Sequence, residues 1–400
     1  MMTTSDDRDI AFLDILHPAF RVDSSEVRAA ANAGWWARTP MGIAVLGYRE
    51  CAALLRDRRL RNSMEMLTAL GVTSGLFIDW ARACLLQLGE EPHQRQRRLV
   101  SKAFTQRSVD ALRPFMQTKA HELIDGFADD SHCEFMTAFA ELYPAWVIAE
   151  LLGISTERFN AFLGWATDIG LGFTPAAGQQ RDRIEAAVAG LYACCDELTA
   201  LRRKTPGDDL ISALITTESD GQRLSSDELR ALVSFLVFAG QDTTRNQLGL
   251  AMMTFAQHPG QWQLLAQQPE LATTAVEELM RINPAVTAVG RVVTEDFTFQ
   301  GVDIPAGTHI LLLLGAANID PDTFGDAPFD ITAQRPTQLT FGAGIHYCLG
   351  SWLARIEIRE ALPILASRLG HIALDGTATS LPHLGITGPI TLPLQFTGTA

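Results

Sequence analysis

Cys348 is the residue of this chain best placed for reactive chemistry. It stands in the run Phe341-Gly342-Ala343-Gly344-Ile345-His346-Tyr347-Cys348-Leu349-Gly350, directly before a segment of helical periodicity, Ser351–Leu369. The N–H groups and positive dipole end of a helix start stabilise a thiolate and lower its pKa. Glycines at 342, 344 and 350 permit unusual backbone angles and the close approach of a flat ligand. A thiolate so placed can serve as an axial iron ligand, donating electron density that favours O–O cleavage. The same residues would also make an inert buried cysteine in a glycine-rich turn.

A second constellation is Ala239-Gly240-Gln241-Asp242-Thr243-Thr244, which falls inside a long apolar helical pattern. Glycine in a helix interior costs about 1 kcal/mol relative to alanine, and Asp and Thr compete with the helix ladder for hydrogen bonds. Such local inconsistency is expected at functional sites. The Thr243 hydroxyl can reach the Ala239 carbonyl and open a groove, and Asp242 can relay protons. A polar kink buried against another helix would fit as well. Two charged pairs complete the set. His93 and Arg97, four apart, share a helix face and could clamp a carboxylate. Glu278 and Arg281, three apart, can pair on theirs. Taken singly, each pair also reads as an ordinary solvated helix face.

The elements that must position these residues are mostly helices. Ser225 and Glu228 form an S-x-x-E capping box that opens a helical pattern running to His258, where Pro259 stops it. At 1.5 Å per residue, a helix of about 33 residues would traverse the whole domain. From about Pro92 to Met280 the chain reads almost wholly helical, with breaks at Gly126–His132, Gly170–Gly178, Thr205–Asp209 and Ser219–Gln222. Short strands are expected at Gly42–Leu46, Val286–Val293, Phe297–Phe299, His309–Leu314 and near Pro389–Phe396, with a turn at Gln300–Gly301. The fold class is therefore α+β, mainly α, with peripheral sheets. No linker-like boundary divides the chain.

Bulk properties exclude several function classes. The net charge of −14 argues against nucleic acid as the main partner. The six cysteines are scattered without a C-x-x-C pair, so they form neither a disulfide framework nor a zinc site. The acidic N-terminus lacks the features of a signal peptide. The longest apolar runs fall short of the ~18 residues of a membrane span. A cytoplasmic protein is expected.

The run 341–350 matches F-G-x-G-x-H-x-C-L-G at every fixed position, and in this it resembles the cysteine loop of the cytochromes P450 of the soluble bacterial class. Ala239–Thr243 resembles the A-G-x-D-T oxygen-activation motif of the same family, and Glu278–Arg281 its E-x-x-R ion pair. The resemblance runs from about residue 30 to 397 in motif order and spacing. It implies a single triangular domain over 1–400 with a long central helix, residues 1–10 being free to be disordered. It implies haem b as cofactor, with Cys348 as the iron ligand and Phe341 packed beside the sulfur. His93, Arg97, Arg291 and His346 would hold the haem propionates, and Asp242 and Thr243 would be catalytic. Glu278 and Arg281 would have a structural role only.

The activity implied is O2- and electron-dependent hydroxylation or epoxidation of a hydrophobic small molecule, in secondary metabolism or catabolism. Phe238, Ala239, Val286, Val289 and Ile386 would line the substrate pocket, with further lining from Met64, Met66, Leu67, Phe77, Ile78, Trp80 and Leu85. Polyketide, terpene, fatty-acid, aromatic and carrier-bound substrates all stay open. No flavin or nicotinamide fingerprint is present, so a ferredoxin and its reductase would deliver the electrons to a monomeric enzyme. Arg95, Arg97, Arg98, Lys102, Arg107, Arg355 and Arg359 would form the basic patch that steers the ferredoxin. Ordinary solvated arginines are the alternative. Peroxide-dependent or non-oxygenating chemistry is disfavoured by the presence of Asp242 and Thr243. A haem-free recruitment module is disfavoured by the retention of Cys348, His346, Arg97 and Arg291. Two departures from the family pattern, Ile319 for arginine and Gln338 for histidine, bear on loop packing.

Overall fold

Ser226–Gln257, a helix of 32 residues, is the longest element of a computed structural model that describes residues 10–398 except 18, 63, 65–71, 175–176, 219–220 and 382–383. It extends about 48 Å at 1.5 Å per residue. The expected capping box closes its start. The Ser225 hydroxyl accepts from the Glu228 N–H at 3.2 Å, and the Glu228 carboxylate accepts from the Ser225 N–H at 2.9 Å. Pro259 cannot continue the ladder and instead opens the next helix, Pro259–Gln267. From Thr244 to Phe255 every residue but Arg245 and Met253 is buried, so this stretch runs through the interior. Helices Leu142–Leu152, Phe159–Gly170, Arg181–Lys204, Ala272–Ile282 and Ser351–Leu369 pack against it.

The sheets lie outside this helical body. The largest has five strands in the order Trp36–Thr39, Gly42–Val45, His309–Leu312, Val289–Val293, Leu60–Asn62. The second and third strands are parallel and the other neighbours antiparallel. Gly42 faces His309 there, and a Cβ on it would come within 2.1 Å of the His309 carbonyl oxygen. Only glycine fits that register. The hairpin Phe297–Phe299/Val302–Ile304 turns at Gln300–Gly301, both with positive φ, as a two-residue primed turn requires.

Three expectations shift. Strand Val289–Val293 begins three residues later than the sequence suggested, and Val286 makes only an isolated bridge to Ile386. The strand from His309 stops at Leu312, and Leu314–Ala317 turns into a short helix. The region read as almost wholly helical, with a break at Gly126–His132, contains strand His132–Glu134, which pairs with Pro393–Phe396 far along the chain. That partner, and not local propensity, makes it a strand.

A large apolar cluster fills the helical body, and two smaller ones flank the five-stranded sheet. Glu278 and Arg281 are both 1% exposed. Arg281 grips the carboxylate through Nε and Nη2 at 2.8 and 2.7 Å and also donates to the carbonyls of Ala327 and Asn318. The pair thus anchors the loop-rich stretch before Phe341. Gln338, the residue that departs from the family pattern, is buried in the same region and donates to Glu277 at 3.2 Å. Among the described residues, no helix is long and apolar enough to cross a membrane.

Candidate active site

The cysteine loop folds back on itself. Gly342 and Gly344 have φ of 69° and 68°, and a Cβ on Gly344 would meet the Leu55 carbonyl at 2.9 Å. These glycines let the chain turn so that the Cys348 N–H donates to the Phe341 carbonyl at 2.9 Å. Cys348 is exposed, and it lines a cavity of about 410 Å³. Burial pushes its thiol pKa up, opposed by the Gly350 N–H and the positive charges of Arg97 and Arg355. Phe341, Gly350 and Leu353 line the cavity beside it, while Ala239, Gly240 and Thr243 of the central helix line it as well. Thiol and helix border one space.

At its edge four cationic or titratable groups meet, as the sequence suggested. The His93 and His346 rings stand edge to face with centroids 4.6 Å apart. The Nδ1 atoms of both are buried without a hydrogen-bond partner. Arg97 donates to the Tyr347 carbonyl at 2.7 Å, and Arg291 to that of its neighbour Gly290 at 2.9 Å. Burial lowers Arg291 to about 10. Burial, then the charges of His93, Arg291 and Arg97, lowers His346 to about 4. Burial also lowers His93 and Arg97. A cluster whose buried cations strain against one another in this way is built to take on negative charge. A flat ligand carrying two carboxylates on one edge and a metal at its centre satisfies these orphaned atoms while presenting the metal to sulfur. The donor set fits haem.

The family described as Cytochrome P450 matches residues 260–369. Luteothin monooxygenase of Streptomyces thioluteus is 39% identical over 398 residues, covering 97% of this chain and 96% of its own length. The chain belongs to the cytochrome P450 family. Mycinamicin IV hydroxylase/epoxidase of Micromonospora griseorubida is 37% identical, covering 88% of this chain and 89% of its own. Among solved structures, the bacillaene polyketide synthase P450 PksS of Bacillus subtilis 168 superposes with a TM-score of 0.81 at 31% identity, covering 89% of this chain and 90% of its own. This P450 is a haem b monooxygenase that hydroxylates or epoxidises a small molecule with O2.

On the central helix, the Thr243 hydroxyl donates to the Ala239 carbonyl at 2.9 Å. The helix nevertheless continues without interruption through this turn, so the expected groove is a shared carbonyl rather than a broken ladder. Asp242, half-buried, points away from the cavity wall. It faces Gly170, where a Cβ would lie 3.9 Å from its carboxylate, an ordinary contact distance. Burial raises the Asp242 pKa, against the charge of Arg245 and a hydrogen bond from Asn246. Sequence reasoning missed a second acid at the site. Glu357 is fully buried on the cavity wall near Thr244, neither oxygen in a well-formed hydrogen bond, and burial raises its pKa well above the usual value, against Thr244. Its signal was a glutamate on the stripe Leu353, Ile356, Glu357, Glu360, at the spacing of a buried helix face.

Of the residues assigned to the substrate pocket, Ala239, Val286, Val289 and Leu85 line the cavity. Phe238 does not; it stacks on Phe173 at 4.9 Å and packs edge-on to Trp80. Ile386 is held back by its bridge to Val286. Phe77, Ile78 and Trp80 belong to the helical core, because apolar residues on the inward face of one helix pack on protein as readily as on a ligand. Met66 and Leu67 lie outside the described residues. The basic patch is also smaller in space than in sequence. Arg95 pairs with Glu228, Arg355 with Glu277, and Arg359 lies 3.8 Å from Glu360. Arg97 turns to the cavity. Arg98, Lys102 and Arg107 are exposed, and Lys102 donates to the Glu218 carbonyl at 3.2 Å.

Proposed function

We propose that Cys348 is the axial ligand of the haem iron and that His93, Arg97, Arg291 and His346 bind the propionates. The observation that carries this is the cavity itself, bordered by one thiol, by the Ala239–Thr243 turn and by two imidazoles with buried unpartnered nitrogens. Bound there, haem supplies the redox chemistry that activates dioxygen and inserts one oxygen atom into the substrate. The protein supplies position and protons. The Thr243 hydroxyl, parked on the Ala239 carbonyl, holds a proton that it can turn toward the cavity. Asp242, whose burial favours its protonated form, replenishes Thr243. Glu357 keeps a further proton beside Thr244. Apolar side chains, among them Leu85, Leu86, Val286 and Val289, exclude water and favour a hydrophobic substrate.

A polyketide is the substrate class best supported, since the similar PksS is a P450 of the bacillaene polyketide synthase. A ferredoxin with its reductase is the proposed electron source, the exposed Arg98, Lys102 and Arg107 offering it a positive docking surface. We place the enzyme in the cytoplasm as a single-domain monomer, in keeping with six free thiols. The test is a reduced carbon monoxide difference spectrum, followed by spin-shift titration with neutral polyketides. Wild type should give the thiolate-ligated band, and Cys348→Ala should lose both band and activity. A wild-type spectrum of nitrogen-ligated haem would overturn ligation by Cys348. No spin shift with polyketides, but one with fatty acids or terpenes, would overturn the substrate class.

A further inference from the structure

Arg355 is a cation that the proposed reaction leaves without a role. It lies one turn into the helix that follows Cys348, and its guanidinium carbon sits 4.2 Å from the centroid of the Phe341 ring. Phe341 is the residue whose carbonyl receives the Cys348 N–H. Arg355 Nη1 lies 3.3 Å from the Tyr347 hydroxyl and from the Ser351 carbonyl. Its Nε and Nη2 grip the Glu277 carboxylate, the latter at 3.2 Å. Glu277 is itself held by Gln338 at 3.2 Å. Most of the fork is committed, so the charge is fixed in place over an aromatic face instead of swinging in solvent.

We propose that Arg355 is a positioning residue that sets the reduction potential of the haem, by holding a positive charge against the face of Phe341 beside the Cys348 sulfur. Adding an electron makes the iron–thiolate unit more negative, and a fixed cation beside it stabilises that state. Positive charge also draws density onto the sulfur and away from the metal. Both effects raise the potential, as hydrogen bonding and charge around a ligating sulfur are known to do. The guanidinium of the pair is the end that lies over the Phe341 ring, and Phe341 lines the same cavity as Cys348. The competing view is that Arg355 and Glu277 merely fasten two helices.

The inference rests on ligation by Cys348, and the measurement separates the two. Midpoint potentials of the haem-loaded protein are read by spectroelectrochemical titration for wild type, Arg355→Gln, Arg355→Lys and Glu277→Gln, with the ferrous carbon monoxide band recorded for each. Arg355→Gln should favour the ferric state about tenfold, a negative shift of about 59 mV for one electron, while keeping the thiolate band. Arg355→Lys, which retains charge without the planar fork, should lie between it and wild type. Glu277→Gln, which removes the opposing anion, should move the potential the other way. An unchanged potential in Arg355→Gln, or equal shifts in the Gln and Lys variants, would reduce Arg355 to a structural tie. If Arg355→Gln fails to fold, Glu277→Gln decides alone: a positive shift supports the proposal, and none or a negative one overturns it. Loss of the thiolate band in wild type would strike at Cys348 instead.

Discussion

Thr243 and Asp242 are neighbours in sequence, yet the helix turns them about 100° apart. One reaches the cavity and the other faces Gly170. Their proposed roles therefore separate: Thr243 delivers, Asp242 resupplies. Replacing Thr243 by alanine removes the delivering hydroxyl without emptying the pocket. We expect severalfold less product per electron, with the missing electrons recovered as peroxide, and near-wild-type coupling in Thr243→Ser. Reductant consumption measured against product tests this, and full coupling in the alanine variant would remove Thr243 from the proton path. Glu357 makes a second prediction. The folded protein keeps it protonated where an unfolded glutamate, with a pKa near 4.5, has lost its proton. Folding then takes up a proton, and stability falls as pH rises above that value. Glu357→Gln is neutral throughout. Its melting temperature should gain on wild type as pH rises from about 5 to 8, and the gain should vanish near pH 4. A pH-independent difference would mean that Glu357 is ionised in the native protein.

The central helix carries the distal residues on one unbroken rod, and its cap can be tested apart from its chemistry. Ser225 lies 18 residues before Thr243, about 27 Å along the axis. Ser225→Ala should cost about 1 kcal/mol of stability, within the ~0.5–2 kcal/mol range of such caps, and leave product per electron unchanged. Denaturant titration and a coupling assay together check both halves. The strands behave differently. Gly42–Val45 and His309–Leu312 pair in parallel across more than 260 residues of chain, and His132–Glu134 is a strand only because Pro393–Phe396 reaches it. Helix ends at Ser226, Gln257, Ser351 and Leu369 were legible because capping residues, Pro259 and the local apolar period specify them. Strand ends were less so, because they depend on remote partners.

Across the whole molecule, the buried Glu278–Arg281 pair ties the helix Ala272–Ile282 to the loop-rich stretch that leads into Phe341. Arg281→Ala would leave a carboxylate 1% exposed with Arg335, at 3.8 Å, as its remaining ion-pair partner among the described residues. Removing one partner of such a pair costs about 3–5 kcal/mol. We expect a stability loss of that size, with haem retention lowered in parallel, measured by urea unfolding and by absorbance per protein. A loss below about 1 kcal/mol would show that the loop is held by other contacts.

Residue order alone was enough to specify the helices Ser226–Gln257 and Ser351–Leu369, the Ser225 capping box, the cysteine loop and the identity of the charged pairs. Each of these is decided within a few residues by backbone geometry, by the apolar period or by a motif too particular to arise by chance. Long-range packing settled the rest. It brought His93, Arg97, Arg291 and His346 to one edge of a cavity, turned Phe238 and Ile386 off its wall, and paired Arg95 and Arg355 of the basic patch with Glu228 and Glu277. Those outcomes depend on which side chains from distant segments meet, and on how much water their meeting removes, which no local pattern records.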